Sequence, residues 1–219
     1  MIIFHGSDTV VEQPLYGNGK KNNDHGQGFY CTEDVELARE WACKDDRGGF
    51  VNTYRLNTDG LRFLKLVERN VIEWLAILLK NRAVRYSSPI ERRTAEYLIE
   101  HYLPDVTGSD VITGYRADDS YFTYTRAFLS NTISLQQLSD ALKLGDLGTQ
   151  VFLQSRRAFD QLSFVEASMV SGEIYYPKRR ERDGLAREAF NHMLEEQVTE
   201  GIFARDIIRE EPGLNELRI

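Results

Sequence analysis

Asp24-His25-Gly26-Gln27-Gly28-Phe29-Tyr30-Cys31-Thr32, running on into Glu33-Asp34-Val35-Glu36-Leu37-Ala38-Arg39-Glu40-Trp41-Ala42, is the stretch whose reading decides the fold. Gly26 and Gly28 permit turns and close approaches that a Cβ would obstruct. Phe29 to Thr32 has the aromatic and β-branched content of a short strand. Thr32 suits a helix N-cap, with Glu33 and Asp34 placing negative charge in the first turn. Val35, Leu37, Ala38, Trp41 and Ala42 then recur at helical spacing and make one apolar face. On these residues alone, a plain strand-turn-helix packing unit accounts for the pattern.

A second segment upstream, Ile2-Ile3-Phe4-His5-Gly6-Ser7, reads as a short buried strand ending in a His-Gly-Ser turn. Together the two segments resemble the H-Y-E type of the ADP-ribosyltransferase superfamily, which includes the poly-ADP-ribose polymerases. Those proteins carry His-Gly-Ser or His-Gly-Thr at the end of the first strand. They later carry a Gly-x-Gly-x-Tyr turn that enters a short strand and helix. Here the motifs stand as His5-Gly6-Ser7 and Gly26-Gln27-Gly28-Phe29-Tyr30. The pattern is most similar to a bacterial family of unknown function grouped with these transferases, with His25 in place of the usual Phe.

The resemblance implies that His5, Gly6, Ser7, Gly28, Phe29 and Tyr30 bind NAD, which is consumed as a substrate, and that His5, Tyr30 and Gln150 are the catalytic positions. Tyr30 would stack on nicotinamide, and the Gly6 backbone would meet its carboxamide. His5 and Ser7 would reach a ribose hydroxyl. The family's third signature residue is a Glu at the start of a strand. Gln150, ahead of Val151-Phe152-Leu153, stands there instead, and an amide carries no charge and is no base near neutral pH. Another carboxylate would have to help, with Glu166, Glu173 and Asp118 as candidates. Read without the resemblance, Gln150 is an ordinary strand-start residue. Gly26-Gln27-Gly28 lacks the third glycine and the strand-to-helix context of a Rossmann fingerprint.

Composition narrows the rest. At 219 residues with 42% hydrophobic and 28% charged content, the chain is long enough to bury a real core. A net charge of −7 argues against non-specific nucleic-acid binding, which needs a cationic surface. Cys31 and Cys43 make no disulfide framework and suggest a reducing compartment, hence a cytoplasmic location. No Cys/His cluster stands at metal spacing, so no metal is expected. The opening apolar segment is too short for a signal peptide, and no apolar run is long enough to span a membrane.

Along the chain, residues 10–23 read as a loop broken by Pro14, Gly17 and Gly19, either a surface connection or a cover for the site. Residues 50–56 alternate as a strand, and residues 61–66 read as its hairpin partner across Asn57-Thr58-Asp59-Gly60. Two helices follow, over residues 69–83 with Trp74 in the core and over residues 89–103 opened by Ser88-Pro89. Residues 110–115 read as a strand, and Asp118 or Asp119 as the cap of an aromatic-rich helix. Ser134 opens a short amphipathic helix. Residues 149–154 form a strand, residues 155–162 a short helix and residues 164–170 the last strand, with Phe164 and Ala167 on different faces. Residues 177–183 are a charged stretch, followed by a helix over residues 185–198.

These readings predict an α/β (α+β) fold with an ADP-ribosyltransferase-like split β-sheet core in residues 1–172. A helical insertion is expected at about 69–103 and a C-terminal helical extension over 173–219. The implied activity is transfer of ADP-ribose from NAD to an intracellular macromolecule, with the protein as a toxin held by an antitoxin partner as one form of it. The alternative is a non-catalytic module that binds NAD, ADP-ribose or a protein.

Overall fold

In the computed structural model, residues 1–117, 119–144, 148–195 and 200–217 are described. The elements run β1 (Ile2–Ser7), β2 (Phe29–Cys31), α1 (Val35–Ala42), β3 (Gly49–Leu56), β4 (Phe63–Lys65), α2 (Val71–Asn81) and α3 (Pro89–Tyr102). There follow β5 (Val111–Tyr115), α4 (Asp119–Leu129), α5 (Leu135–Ala141), β6 (Thr149–Leu153), α6 (Arg156–Asp160), β7 (Leu162–Val170), α7 (Gly172–Glu195) and α8 (Ala204–Glu210). Two sheets result, ordered β1-β3-β7 and β2-β6-β5-β4. All pairings are antiparallel except β4 with β5. This is a mixed α/β architecture of the α+β kind.

Strand alternation decides what each face of the three-stranded sheet meets. Ile3, Tyr54 and Leu56 turn toward the four-stranded sheet and pack with Cys31, Val111, Val151 and Leu153. Val51, on the opposite face, packs with Ala38 and Ala42 of α1 and with Val170. A larger core gathers α2, which is buried on nearly all sides, with α3, α4 and α5. Trp74 sits there at 1% exposure, its indole donating to the Tyr115 carbonyl at 2.9 Å.

Among the described residues, one isolated β-bridge joins the two sheets. Phe4 N–H donates to the Thr32 carbonyl at 2.8 Å, and Thr32 N–H returns a bond to Phe4 at 2.9 Å. Beyond that pair β1 and β2 part, and the gap between them becomes the site.

Several sequence readings are corrected. His5-Gly6-Ser7 is not a turn but the end of β1, paired with Asn52, Val51 and Phe50. Asp34, not Thr32, caps α1, its carboxylate accepting from Glu36 and Leu37 N–H, while Thr32 Oγ1 accepts from Asp34 N–H. Residues 61–66 are not the hairpin partner of β3. β4 crosses to the other sheet, because β1 and β7 already take both edges of β3. Phe164 and Ala167 share a face: a bulge opposite Thr53 and Tyr54 inserts one residue and resets the alternation.

α7 begins at Gly172 and runs through Pro177, well before the helix start read at residue 185. Tertiary anchors outweigh the lost hydrogen bond: Arg182 grips the buried Glu40 at 2.9 Å, and Arg39 reaches Tyr175. Ala186, Phe190, Ala204, Ile207 and Leu217 join the same core as α2, so the C-terminal residues pack into the fold. Among the described residues, no helix is long and apolar enough to cross a membrane.

Candidate functional site at the split between the sheets

Where β1 and β2 diverge lies a cleft of about 310 Å³ bordered by His5, Gly6, Tyr30 and Gln150, together with Asp24, Trp41, Arg82, Arg116 and Arg179. His5, Tyr30 and Gln150, spread over 145 residues of sequence, therefore meet in one place. A larger cavity of about 620 Å³ lies beside Leu66, Trp74 and Lys143. Its buried carboxylate, Glu73, is already taken by Arg69 at 2.6 Å, so the smaller cleft is where polar groups converge with capacity left.

His5 Nδ1 lies 2.7 Å from the Tyr30 carbonyl. A carbonyl only accepts, so Nδ1 carries the proton. Burial pushes the imidazole below its usual value against the opposing pull of that bond, keeping the ring neutral. Nε2 is then a hydrogen-bond acceptor, suited to a hydroxyl. Phe29, 4.5 Å away, fixes the ring from one side.

Gly6 serves the site through its backbone. Phe4 directs its N–H and C=O toward β2, and residues two apart on a strand direct theirs the same way. Gly6 therefore offers a donor and an acceptor to the side where β2 has departed. It is glycine because α1 crosses here: a Cβ would collide with the Ala38 carbonyl and the Ala42 amide.

Tyr30 contributes its ring. Its hydroxyl is occupied, donating to the Gly26 carbonyl at 2.7 Å and accepting from His25 N–H at 3.0 Å. Burial raises its pKa further, so it is no proton donor or acid in the ordinary range. Behind it sit Phe152 at 4.7 Å and a nearly parallel His25. Burial pushes His25 down to about 3, and neither of its ring nitrogens has a hydrogen-bond partner among the described residues.

Gln150 is 3% exposed and donates from Nε2 to Asp24 Oδ2 at 3.1 Å and to the Tyr115 carbonyl at 3.4 Å. Both neighbours are acceptors, which fixes the amide orientation and leaves Oε1 for a ligand. Asp24 is the residue that sequence reasoning missed. Its Oδ2 also accepts from Ala117 N–H at 3.0 Å, and Arg82 stands 3.5 Å from Oδ1. Burial raises its pKa, opposed by the Ala117 bond, Arg82 and Gln150. The only signal was its place two residues before Gly26-Gln27-Gly28.

Ser7, Gly28 and Phe29 do not border the cleft. Ser7 donates to the Thr9 carbonyl and accepts from Asn52, holding the start of the following loop. Gly28 lets β6 approach, since a Cβ would strike the Leu153 carbonyl and the Phe152 ring. Phe29 packs inward on Tyr54 and Phe159. The loop over residues 10–23 is tied down at Val11 by Asn52 and Tyr54, and Tyr16 lies edge-on to Phe159. Of the other carboxylate candidates, Glu166 and Glu173 are exposed and away from the cleft, and Asp118 lies outside the described residues.

Comparison with protein families matches residues 1–164 to DUF3990, described as a protein of unknown function. The chain belongs to that family. No curated protein and no solved structure matches it significantly.

Proposed function

We propose that this protein is an ADP-ribosyltransferase that takes NAD as its substrate and passes ADP-ribose to an intracellular macromolecule. The observation that carries this reading is the convergence of His5, Gly6, Tyr30 and Gln150 on one cleft. Each has the group the ligand needs. The Gly6 donor–acceptor pair suits a carboxamide, and the Tyr30 ring suits a flat pyridine. Neutral His5 Nε2 and Gln150 Oε1 suit ribose hydroxyls. The volume is at the small end for ligand pockets, enough for the nicotinamide riboside end with adenosine lying outside.

In the proposed reaction the bond between ribose C1′ and the nicotinamide nitrogen breaks. Its electron pair leaves with nicotinamide, whose ring charge is thereby neutralised. An acceptor oxygen or nitrogen bonds to C1′ and gives up its proton to solvent. Positive charge builds on the ribose in between, and the Asp24 carboxylate, one hydrogen bond behind Gln150, is the nearby negative charge that stabilises it. In this reading the charge comes from Asp24 rather than from Glu166 or Glu173, and the Gln150–Asp24 bond supports it.

A second reading, a module that binds NAD or ADP-ribose without turnover, is favoured by the neutral amide of Gln150. Incubation with NAD labelled on the adenylate separates the two. Nicotinamide release together with labelled macromolecule, both lost in His5→Ala, supports the transferase. NAD binding without release identifies the module. No binding at all rejects both.

A further inference from the structure

Arg179 stands outside the segment that matches the family, yet it borders the cleft. Its place is set by α7. Three residues on, Arg182 grips Glu40, a carboxylate only 5% exposed, at 2.9 Å and pins α7 to α1. Lys178 adds a weaker tie to Glu36 at 3.7 Å. Arg179 itself donates to the Cys43 carbonyl at 3.3 Å, which engages one of its five N–H groups. Among the described residues no carboxylate lies within ion-pair distance of it, in a protein of net charge −7.

Its surroundings in the cleft have the same character. Among the described residues, Arg82 and Arg116 border it as well, and the bordering carboxylate, Asp24, already faces Arg82 at 3.5 Å. Trp41 adds a buried indole N–H that has no acceptor among the described residues, and the Arg116 guanidinium lies 4.9 Å over that ring. The N–H groups that Arg179 has left to donate fit an anion bearing several oxygens, and the guanidinium fork matches phosphate bidentately.

We infer that α7 completes the cleft as a binding site for the diphosphate of a nucleotide, with Arg179 adding a cation from outside the family-matched segment. The inference rests on the reading of this cleft as a nucleotide site, but not on NAD being cleaved there. The C-terminal helix is thus part of the site and not only of the core.

Calorimetric titration of the full chain with ADP, ADP-ribose, inorganic pyrophosphate and adenosine tests it. ADP and ADP-ribose bind, and adenosine binds at least about tenfold more weakly. Arg179→Gln weakens ADP and ADP-ribose about tenfold and leaves adenosine unchanged, and Arg179→Lys falls between. Arg180→Gln, an exposed neighbour, behaves as wild type. Matching thermal midpoints for the variants exclude misfolding as the cause. Wild-type affinity in Arg179→Gln, equal affinity for ADP and adenosine, or no binding of any diphosphate overturns the inference. Nicotinamide release keeps the two readings apart. Release that is indifferent to Arg179 sinks the diphosphate site alone. An Arg179-dependent ADP affinity without release sinks the transferase alone.

Discussion

Two sets of residues border the cleft, and they are built on opposite principles. On the β1–β2 edge, His5, Gly6 and Tyr30 present a neutral imidazole, a bare backbone and an aromatic face, the two side chains held by hydrogen bonds and the glycine backed by α1. Around Gln150, by contrast, Asp24, Arg82 and the Ala117 amide form a buried charged knot in which every bond is shared. The neutral edge can only orient a ligand. The charged knot can stabilise developing charge, but it also carries the larger stability risk, since removing one member strands the others in low dielectric.

Asp24→Ala probes that asymmetry most severely. It takes the carboxylate away from the Ala117 N–H and Arg82 and leaves the Gln150 amide only the longer Tyr115 bond, and an expected loss of about 4 kcal/mol should appear in urea unfolding. Retention of wild-type stability would show that the knot is not a unit. On the neutral edge, Gly6→Ala drives a methyl into the α1 backbone and should cost about 3 kcal/mol, the upper range for overpacking. A loss under about 1 kcal/mol would mean that α1 yields freely and that Gly6 is held for its ligand.

The pH dependence sharpens the contrast next. His25 behind Tyr30 stays neutral in the fold down to about 3, whereas the unfolded chain protonates it near 6.5. Its contribution is therefore complete above pH 6.5 and drains as pH falls, by about 2 kcal/mol at pH 5. The raised Asp24 works the other way and offsets part of this loss, since its folded carboxyl gains a proton more readily than the unfolded one. His25→Phe should flatten the profile between pH 7 and pH 5, read as thermal midpoints across that range. An unchanged slope would move the acid sensitivity elsewhere. Gln150→Glu is the mildest of the four. It sets a second carboxylate 3.1 Å from Asp24, where like charges raise one pKa, so stability should fall by about 1 kcal/mol above neutral pH and recover in acid. Nicotinamide release should drop, not rise, and a rise would show that Asp24 contributes no field to the reaction.

Much of this was legible in local sequence. Ser88 before Pro89, the Ser134 cap of α5, the aromatic strand at Phe29 and the buried Trp74 follow from short-range chemistry, and all stand in the structure. His5, Gly6 and Tyr30, which border the cleft, stand in short motifs that were readable for the same reason. Asp24 and Arg179 were not, because an aspartate in a polar loop and an arginine in a charged run look like solvated residues until a partner 126 residues away, or a helix start thirteen residues earlier than read, is known.

What the sequence by itself determined is therefore most of the elements up to β7 and the motifs on the neutral half of the cleft, since periodicity, caps and glycine turns are set within a few residues. Which strand joins which sheet, the bulge that brings Phe164 and Ala167 to one face, the run of α7 through Pro177 and the charged half of the cleft were decided only by tertiary structure. Edge positions are finite and are claimed by whichever strand packs best, and a buried charge takes meaning only from the groups that the fold brings to it.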